Sequence, residues 1–321
     1  MPRIGLVLGA GGVVGHAFHV GVLKALEEAT GWDPRDAEVI VGTSAGSHVA
    51  AYLRAGASAS DLAARIAGDG AAMVDRGMHQ RLGDPFPVPA PRPAFGLTAP
   101  RLLARGVTRP WATLPGAVLA GWAPRGRVSL RAFAARINWL YPDRDWPQRP
   151  LWLPAVDLRE GRLTVFGREG APRTDVGTAV AASCAVPGWF TPVEVDGVSY
   201  VDGGARSVTN LDLLAAEGLD LVVVSSPMSI SGAAGPRLRT GARWSLRLRL
   251  GQEARKVRRR GTDVVAFQPT PADVAVMGWN AMNPTRRREV VRQAYASASH
   301  RLARDSAMAR LAPLTQVAAG R

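Results

Sequence analysis

Apolar strands and helical periods alternate over the first part of the chain. An apolar run at Arg3–Leu8 predicts a buried strand, and after a glycine-rich turn the apolar positions of Ala17–Ala29 recur at a helical period. A second apolar run at Ala37–Val41 predicts another buried strand, which leads directly into a helix that ends near Arg54. Strands and helices that alternate in this way predict a parallel sheet with right-handed crossovers.

The same two patterns return in the second half of the chain. The predicted elements are helices at Leu130–Leu140, Val176–Ser183, Asn210–Glu217 and Thr285–Leu311, and strands at Leu151–Val156, Leu163–Phe166, Val193–Val195, Val198–Val201, Leu219–Val224 and Val264–Phe267. Asp196-Gly197 separates two of the short strands and predicts a type I′ hairpin turn. No repeat and no linker interrupts these elements, so we expect a single α/β domain over residues 1–321.

Residues 84–127 lack a regular period. Nine of the 24 prolines lie between Pro85 and Pro124, among several arginines and only one carboxylate. This Pro-rich composition predicts a surface excursion with short helices. A lid or a lipid-facing cap over a binding site is the alternative, because long loops are often functional.

Composition excludes several classes of protein. Hydrophobic residues make up 47% of the 321 residues and charged residues 21%, which is ordinary for a folded globular chain. The single cysteine, Cys184, excludes an intramolecular disulfide, and no Cys/His spacing typical of a metal site is present, so we expect no metal. The apolar stretch Ile4–Leu23 is too rich in glycine for a signal peptide, and no stretch reaches bilayer length. We therefore expect a cytoplasmic protein, soluble or peripheral at a membrane.

Positive charge is concentrated in one segment. The net charge is +14, and Pro236–Arg260 carries ten basic residues against one acidic residue, Glu253. Because Trp244 and several leucines interleave with the arginines, this basic segment predicts a surface helix that contacts anionic lipid. A solvated helix whose arginine stems cover apolar neighbours is the alternative. No nucleic-acid-binding motif accompanies the charge, so we expect no specific nucleic acid partner.

The strongest chemical motif lies between the second strand and its helix. Residues 42–46 read Gly-Thr-Ser-Ala-Gly, the G-x-S-x-G pattern of a nucleophile elbow, in the strand-turn-helix context that this motif requires. Gly42 and Gly46 remove Cβ atoms where strand and helix pack closest, so that Ser44 can occupy a strained turn. The positive end of the following helix would stabilise a negative charge near that serine oxygen.

A glycine-rich loop follows the first strand. Parallel neighbouring strands place Gly9–Gly15 at the same sheet edge as Ser44, where backbone N–H groups without a nearby Cβ can form an oxyanion hole. A dinucleotide-binding loop is the competing interpretation. It fits less well, because the G-x-G-x-x-G spacing fails at Val14 and no acidic residue ends the second strand.

A carboxylate is a candidate for the base that would activate Ser44, and a histidine triad is not supported. None of the five histidines follows a late core strand in the kind of loop that supplies a hydrolase histidine: His16, His19, His48, His79 and His300. Asp202, followed by Gly203 and Gly204, ends a hairpin strand and can approach the elbow from a neighbouring strand. Such a carboxylate serves as a base only when it is partly desolvated and hydrogen-bonded to the serine.

Three sequence blocks in this order resemble the patatin-like phospholipase family in its bacterial form. They are the glycine-rich Leu6–Gly15 with the helical Gly21–Glu28, the elbow Val41–Gly46, and Ala182–Gly188 continuing to Tyr200–Gly204. The resemblance spans residues 5–213, and the C-terminal third carries no diagnostic motif.

The resemblance implies a three-layer α/β fold, with a mostly parallel central sheet and helices on both faces. It also implies hydrolysis of lipid acyl esters by a Ser-Asp dyad without metal or organic cofactor. On this basis Ser44 is the nucleophile, Asp202 is the base, and the amides of Gly11, Gly12 and Val13 form the oxyanion hole.

The glycine loop departs from the family pattern at two positions. Ala10 replaces a glycine, and Val14 stands where the family usually carries a basic residue. The spacing from Gly15 to Gly21 is also one residue longer than is typical. Backbone donors survive these changes, while a substrate contact made by the missing basic side chain would be lost.

The sequence thus predicts a serine hydrolase of lipid carboxylic esters, of the phospholipase A, lysophospholipase or esterase type. Two alternatives stay open at this point: a nucleotide-binding α/β protein that uses the glycine loop, and a catalytically silent lipid-binding protein. The headgroup, the position of the cleaved acyl chain and the oligomeric state are left undetermined.

Overall fold

The computed structural model describes residues 1–68, 75–83, 93–99, 122–141, 146–231 and 241–320. Its strands, numbered along the chain, are β1 (Ile4–Leu8), β2 (Val39–Gly42), β3 (Pro93–Leu97), β4 (Pro124–Gly126), β5 (Leu151–Asp157), β6 (Leu163–Phe166), β7 (Val193–Val195), β8 (Val198–Asp202), β9 (Leu221–Ser225) and β10 (Asp263–Phe267). Within the described ranges, eight of these strands form one sheet and β3 pairs with β4 in a separate small sheet.

Helices follow most of the strands. They are α1 (Gly12–Thr30), α2 (Ala45–Arg54), α3 (Ala59–Ala67), α4 (Arg76–Leu82), α5 (Arg131–Asn138), α6 (Val176–Cys184), α7 (Gly241–Arg258), α8 (Pro271–Met277), α9 (Arg287–Leu302), α10 (Asp305–Ala309) and α11 (Ala312–Ala319). Short 3₁₀ turns occur at Pro34–Asp36, Gly203–Ala205, Leu211–Leu214 and Pro284–Arg286.

The large sheet is mostly parallel, in the order β10-β9-β1-β2-β5-β8-β7, with β6 on β5. The first five strands of this order pair in parallel, whereas β6, β7 and β8 pair antiparallel. Leu8 lies opposite both Gly42 and Ser225, so the carboxyl ends of β1, β2 and β9 stand at one level. The segments that leave these three ends therefore meet at one edge of the sheet.

Helices cover both faces of the sheet. On one face the side chains of Leu6 and Leu8 pack with α1, α2, α3 and α9, and on the other face Val7 and Val41 pack with α7 and the turn Leu211–Leu214. Alternate residues of a strand point to opposite faces, which is why the continuous apolar runs of the sequence are buried on both sides. The predicted α/β fold with a mostly parallel sheet and two helical layers is confirmed.

Three predicted helices need correction. Helix α1 begins at Gly12 and not near Ala17, so the end of the glycine loop is the first turn of the helix. Asn210–Glu217 forms only the 3₁₀ turn Leu211–Leu214, because Asn210 adopts left-handed backbone angles (φ 51°) and closes off a longer helix.

The C-terminal helix is also shorter than predicted. It ends at Leu302, because Arg304 takes an extended backbone (φ −92°, ψ 126°), and two short helices follow it. The predicted hairpin is confirmed: Asp196 and Gly197 both have positive φ, at 49° and 71°, as a type I′ turn requires.

Two segments singled out by composition are described in part. Of the Pro-rich residues 84–127, the described portion contains β3 and β4, and the remainder lies outside the described residues. Of the basic segment 236–260, residues 241–258 form α7, as predicted for a surface helix. Its predicted contact with anionic lipid stays a prediction. Among the described helices, none combines the length and the apolar character that spanning a bilayer needs.

Candidate active site

Ser44 occupies a strained turn between β2 and α2. Its backbone angles are φ 53° and ψ −119°, a region that side-chain-bearing residues seldom adopt and that occurs mostly where function requires it. The turn is held from both sides, because the Thr43 N–H donates to Leu8 O at 2.9 Å and the Ser44 N–H donates to Ser183 Oγ at 3.1 Å. Helix α2 starts at Ala45, so its positive end lies at the serine.

The two glycines of the elbow are required by close packing. A Cβ at Gly46 would overlap the carbonyl oxygen of Leu8 on β1, and a Cβ at Gly42 would lie 2.6 Å from the Cα of Ser47. Any larger residue at either position would push α2 away from the sheet. The G-x-S-x-G pattern therefore reflects the packing of this helix as well as the strain at Ser44.

Asp202 is brought to Ser44 from the antiparallel part of the sheet. It ends β8, is 5% exposed, and its backbone N–H donates to Ala185 O at 3.0 Å. The Gly204 N–H donates to Asp202 Oδ1 at 2.7 Å, and the Ser44 hydroxyl lies near enough to the carboxylate to lower its pKa. Burial has the larger effect and raises the pKa of Asp202 to about 6.

The glycines after Asp202 serve different purposes. At Gly203 a Cβ would overlap the carbonyl oxygen of Pro154 on β5, so the chain can turn against the sheet only with glycine there. Gly204 lies with its amide on the carboxylate, and a Cβ on it would come within 2.9 Å of Asp202 Oδ1. In the Asp-Gly-Gly tripeptide, the first glycine thus permits close packing on the sheet and the second donates a hydrogen bond to the carboxylate.

The first turn of α1 faces the same space as Ser44. Gly12 and Val13 line the pocket that contains the serine, whereas Gly11 is buried behind them as the N-cap residue. First-turn N–H groups have no acceptor within their own helix, so the amides of Gly12 and Val13 are available to an oxyanion. Of the three residues predicted for the oxyanion hole, the structure places two at the pocket wall.

His19 holds the glycine loop in position. Its Nε2 lies 2.8 Å from Gly9 O and its Nδ1 lies 2.8 Å from Ser225 Oγ on β9. A carbonyl oxygen only accepts, so Nε2 carries the proton and Nδ1 accepts from the serine hydroxyl. Burial lowers the pKa of His19 to about 4, and the ring stays neutral. His19 is therefore a packing residue.

A pocket of about 110 Å³ opens from Ser44 between α1, α2 and α5. Its walls are mostly apolar and are formed by Ile66, Leu130, Phe133, Val186, Phe190 and Met282. The polar lining comes from His16, His48, Arg65 and Arg287, together with Cys184. Such a pocket suits a substrate with an apolar chain, whose reacting carbonyl would lie at the serine.

The patatin-like phospholipase family model matches residues 6–215, more than half of the 321 residues. The chain belongs to the patatin-like phospholipase family. Membership places it among lipid hydrolases, and the matched residues contain the elbow, the glycine loop and Asp202. This match confirms the family that the three sequence blocks predict.

Two solved structures are similar to this patatin-like chain at low sequence identity. VipD from Legionella pneumophila shares 16% identity and a TM-score of 0.47, with 94% of this chain and 67% of that chain covered. The type III effector protein ExoU shares 18% identity and a TM-score of 0.37, with 94% of this chain and 53% of that chain covered.

Several residues that support the patatin-like site are not identified by the sequence analysis. Asn210 donates through Nδ2 to Thr43 Oγ1 at 3.1 Å and to Ser207 O at 2.7 Å, and so ties the elbow to the loop after Asp202. Glu253 on α7 accepts from both hydroxyls of this loop, Ser207 at 2.5 Å and Thr209 at 2.6 Å. These contacts join segments far apart along the chain, which a motif of neighbouring residues does not report.

The C-terminal third also reaches the site, although it lies outside the family match. Ala281 O accepts from the Val14 N–H at 3.1 Å, and Met282 lines the pocket with Ser44. Helix α9 contributes Arg287 to the same wall. Val14 itself is buried, so the side chain that replaces the family's basic residue faces the core and not the substrate.

Proposed function

We propose that this protein hydrolyses carboxylic esters of lipids with Ser44 as nucleophile and Asp202 as general base. One observation supports this proposal above the others: a hydroxyl on a strained turn lies beside a buried carboxylate and opens onto a mostly apolar pocket. An aspartate whose pKa is about 6 is ionised at neutral pH and is a stronger base than an ordinary carboxylate.

Acylation follows from the positions of these groups. Ser44 Oγ attacks the ester carbonyl carbon while its proton passes to the Asp202 carboxylate, and the carbonyl oxygen becomes an oxyanion. The N–H groups of Gly12 and Val13, with Gly11 beside them, stabilise that charge, and the positive ends of α1 and α2 add to it. Collapse of the intermediate breaks the C–O bond, and the departing alcohol takes the proton from Asp202.

Deacylation repeats these steps with water. The carboxylate of Asp202 takes a proton from a water molecule, whose oxygen attacks the acyl carbon bound to Ser44 Oγ. The second tetrahedral intermediate uses the same amides, and its collapse returns the proton to Ser44 and releases a fatty acid. A single carboxylate thus acts as base and acid in both halves of the cycle.

Replacement of Ser44 tests the proposal. We expect Ser44→Ala to lower kcat/KM for p-nitrophenyl butyrate and for a short-chain phosphatidylcholine by about 10⁴-fold or more, because the covalent route is lost. Fatty acid release should be followed by titration, and folding by circular dichroism and thermal melting.

Ser245→Ala provides the matched control, since Ser245 is an exposed serine on α7 whose hydroxyl donates to Ala242 O. It should behave as the unaltered protein does. Retention of ester hydrolysis by purified, folded Ser44→Ala protein would refute the proposal. Binding of lipid vesicles without release of fatty acid from any ester would favour the catalytically silent alternative.

A further inference from the structure

The segment between α8 and α9 forms a structured turn beside the pocket. In this 278–283 turn, Asn280 Oδ1 accepts from the Met282 N–H at 2.9 Å and the Asn283 N–H donates to Asn280 O at 3.1 Å. Ala281 O accepts from the Val14 N–H, which anchors the turn on the first turn of α1. Met282 lines the pocket, so the turn is part of its rim.

Trp279, in the same turn, exposes 79% of its surface. A large aromatic side chain on an anchored turn contributes nothing to the core, and its ring is available to another surface. Tryptophan is favoured where one side of a contact is apolar and the other is wet, as at the boundary of a lipid bilayer. Trp279 precedes Met282 by three positions, which restricts the distance between their Cα atoms to about 10 Å.

The chain that follows the turn is positively charged. Arg288 and Arg292 on α9 are exposed, and Arg287 between the turn and Arg288 lines the pocket. The stretch from 284 to 292 contains one carboxylate, Glu289, against four arginines. An exposed aromatic ring that is followed along the chain by exposed arginines matches the chemistry of a bilayer that contains anionic phospholipid.

The basic helix α7 is a weaker candidate for the same contact. It packs on the face of the sheet opposite to the helices that line the pocket. Its charge is also partly committed to the protein, because Arg243 donates to Pro227 O, Arg249 to Arg206 O and Arg258 to Val264 O. Contact through this helix would place the lipid at the face of the sheet opposite to the helices that line the pocket.

We propose that the 278–283 turn docks on anionic phospholipid bilayers, with Trp279 entering the headgroup region and Arg288 and Arg292 on lipid phosphates. This orientation turns the rim of the pocket toward the bilayer, so that a lipid ester passes from the membrane to Ser44. The inference rests on the proposed function for its purpose, since a lipid hydrolase has to receive its substrate from an aggregated phase.

Vesicle binding of surface variants tests this docking surface. The Ser44→Ala protein keeps the vesicles intact, and it serves as the background for Trp279→Ala, Arg288→Gln and Trp139→Ala. Trp139 is the matched control, because it is also exposed (73%) but lies at the far end of α5 from the pocket. Co-sedimentation is measured with vesicles of phosphatidylglycerol and phosphatidylcholine, and with vesicles of phosphatidylcholine alone.

We expect Trp279→Ala to weaken binding to the anionic vesicles by about ten-fold, the loss of one buried aromatic side chain. Arg288→Gln should weaken it by about five-fold on anionic vesicles and leave phosphatidylcholine vesicles unaffected. Trp139→Ala should change binding by less than about two-fold. With Ser44 intact, Trp279→Ala should hydrolyse soluble p-nitrophenyl butyrate at the unaltered rate and vesicle phospholipid more slowly.

Equal binding by the Trp279→Ala and background proteins would overturn the docking surface, and so would an equal loss in Trp139→Ala. Absence of binding to both kinds of vesicle would also overturn the proposed docking surface. Failure of the proposed function gives a different result: the Ser44-containing protein would then hydrolyse neither the soluble ester nor the phospholipid, while the vesicle measurements would still compare the two tryptophans.

Discussion

A carboxyl group and two imidazoles are buried near Ser44, and burial shifts their pKa values in opposite directions. Asp202 accepts a hydrogen bond from the Gly204 amide and lies near the Ser44 hydroxyl, and burial raises its pKa to about 6. His16 and His48 lie with their ring centroids 4.8 Å apart, and their Nε2 atoms find no hydrogen-bond partner among the described residues. Burial, assisted by Arg65 and Arg287, lowers the pKa of both imidazoles well below 6.5.

This contrast favours the proposal that a carboxylate and not a histidine acts as the base. The environment raises the pKa of Asp202 and lowers the pKa of both imidazoles, so the two kinds of group shift in opposite directions. The position of Asp202 supports the same choice, since the Ser44 hydroxyl lies near enough to that carboxylate to affect its pKa. Proximity of a histidine to a serine in one pocket is therefore insufficient to identify a catalytic triad.

The largest effect should come from removing the carboxylate. We expect Asp202→Asn to lower kcat/KM for soluble and lipid esters by about 10³–10⁴-fold, because the amide cannot take the proton of Ser44. His48→Phe keeps the ring packed against Tyr52 and Phe133 and should stay within about three-fold of the unaltered rate on the soluble ester. If His48→Phe lost as much activity as Asp202→Asn, the assignment of the base would be wrong.

The pH dependence of the unaltered protein sharpens the same contrast. Because Asp202 has to be ionised to act as a base, kcat/KM for p-nitrophenyl butyrate should rise with pH through an apparent pKa of about 6 and level off above it. Activity at pH 5 should be about ten-fold lower than at pH 7. A profile that stays flat between these values would show that a group other than Asp202 controls the rate.

Stability should respond to pH with opposite signs in the two groups. Between pH 3.8 and about 6 the folded Asp202 binds a proton that the unfolded chain has lost, so its contribution to stability falls as pH rises. Below pH 6.5 the unfolded His48 binds a proton that the folded ring excludes, so its contribution falls as pH falls.

Denaturant titration between pH 4.5 and 6 separates these contributions. Asp202→Asn should make the rise of stability with pH steeper, and His48→Phe should make it shallower, each by up to about 1.4 kcal/mol per pH unit. Above pH 6 Asp202→Asn should also be more stable, by up to about 3 kcal/mol, since no buried charge remains. Parallel stability curves for the three proteins would contradict this account.

The smallest effect is expected at Cys184, which also lines the pocket. Its Sγ donates to Ser44 O at 3.2 Å, and burial raises the pKa of the thiol to about 12, so it is not a thiolate nucleophile. Cys184→Ser preserves a donor in this place and should change kcat/KM by less than about two-fold. A loss of activity comparable to that of Ser44→Ala would indicate that Cys184 takes part in the reaction.

Local patterns in the sequence are sufficient to predict the parallel sheet and the position of Ser44 on a turn between strand and helix. The elbow is local because its strain, its glycines and its helix lie within residues 42–46 and the strands beside them. Asp202 can also be predicted as a site residue, since it ends a hairpin strand and two glycines follow it. The closeness of Ser44 and Asp202 depends on the pairing of β5 with β8, which no single segment encodes.

Contacts over long sequence separation account for what was missed. Asn210 and Glu253 secure the loop after Asp202 from positions with no motif of their own. The turn at 278–283 and Arg287 complete the pocket from the third of the chain that had no diagnostic block. The sequence predicts the glycine loop before the helix because glycine disfavours helices in general, whereas in the structure Gly12 and Gly15 lie in the first turn of α1 and pack against Ala281 and Pro227.

Covalent labelling with a fluorophosphonate tests the central claim, that Ser44 is the nucleophile and Asp202 its base, most directly. Peptide mass spectrometry of the labelled, active protein should show one adduct, on Ser44, and none in Ser44→Ala. Asp202→Asn should be labelled far more slowly. An active protein that carries no adduct at Ser44, or an Asp202→Asn protein labelled at the unaltered rate, would contradict the account.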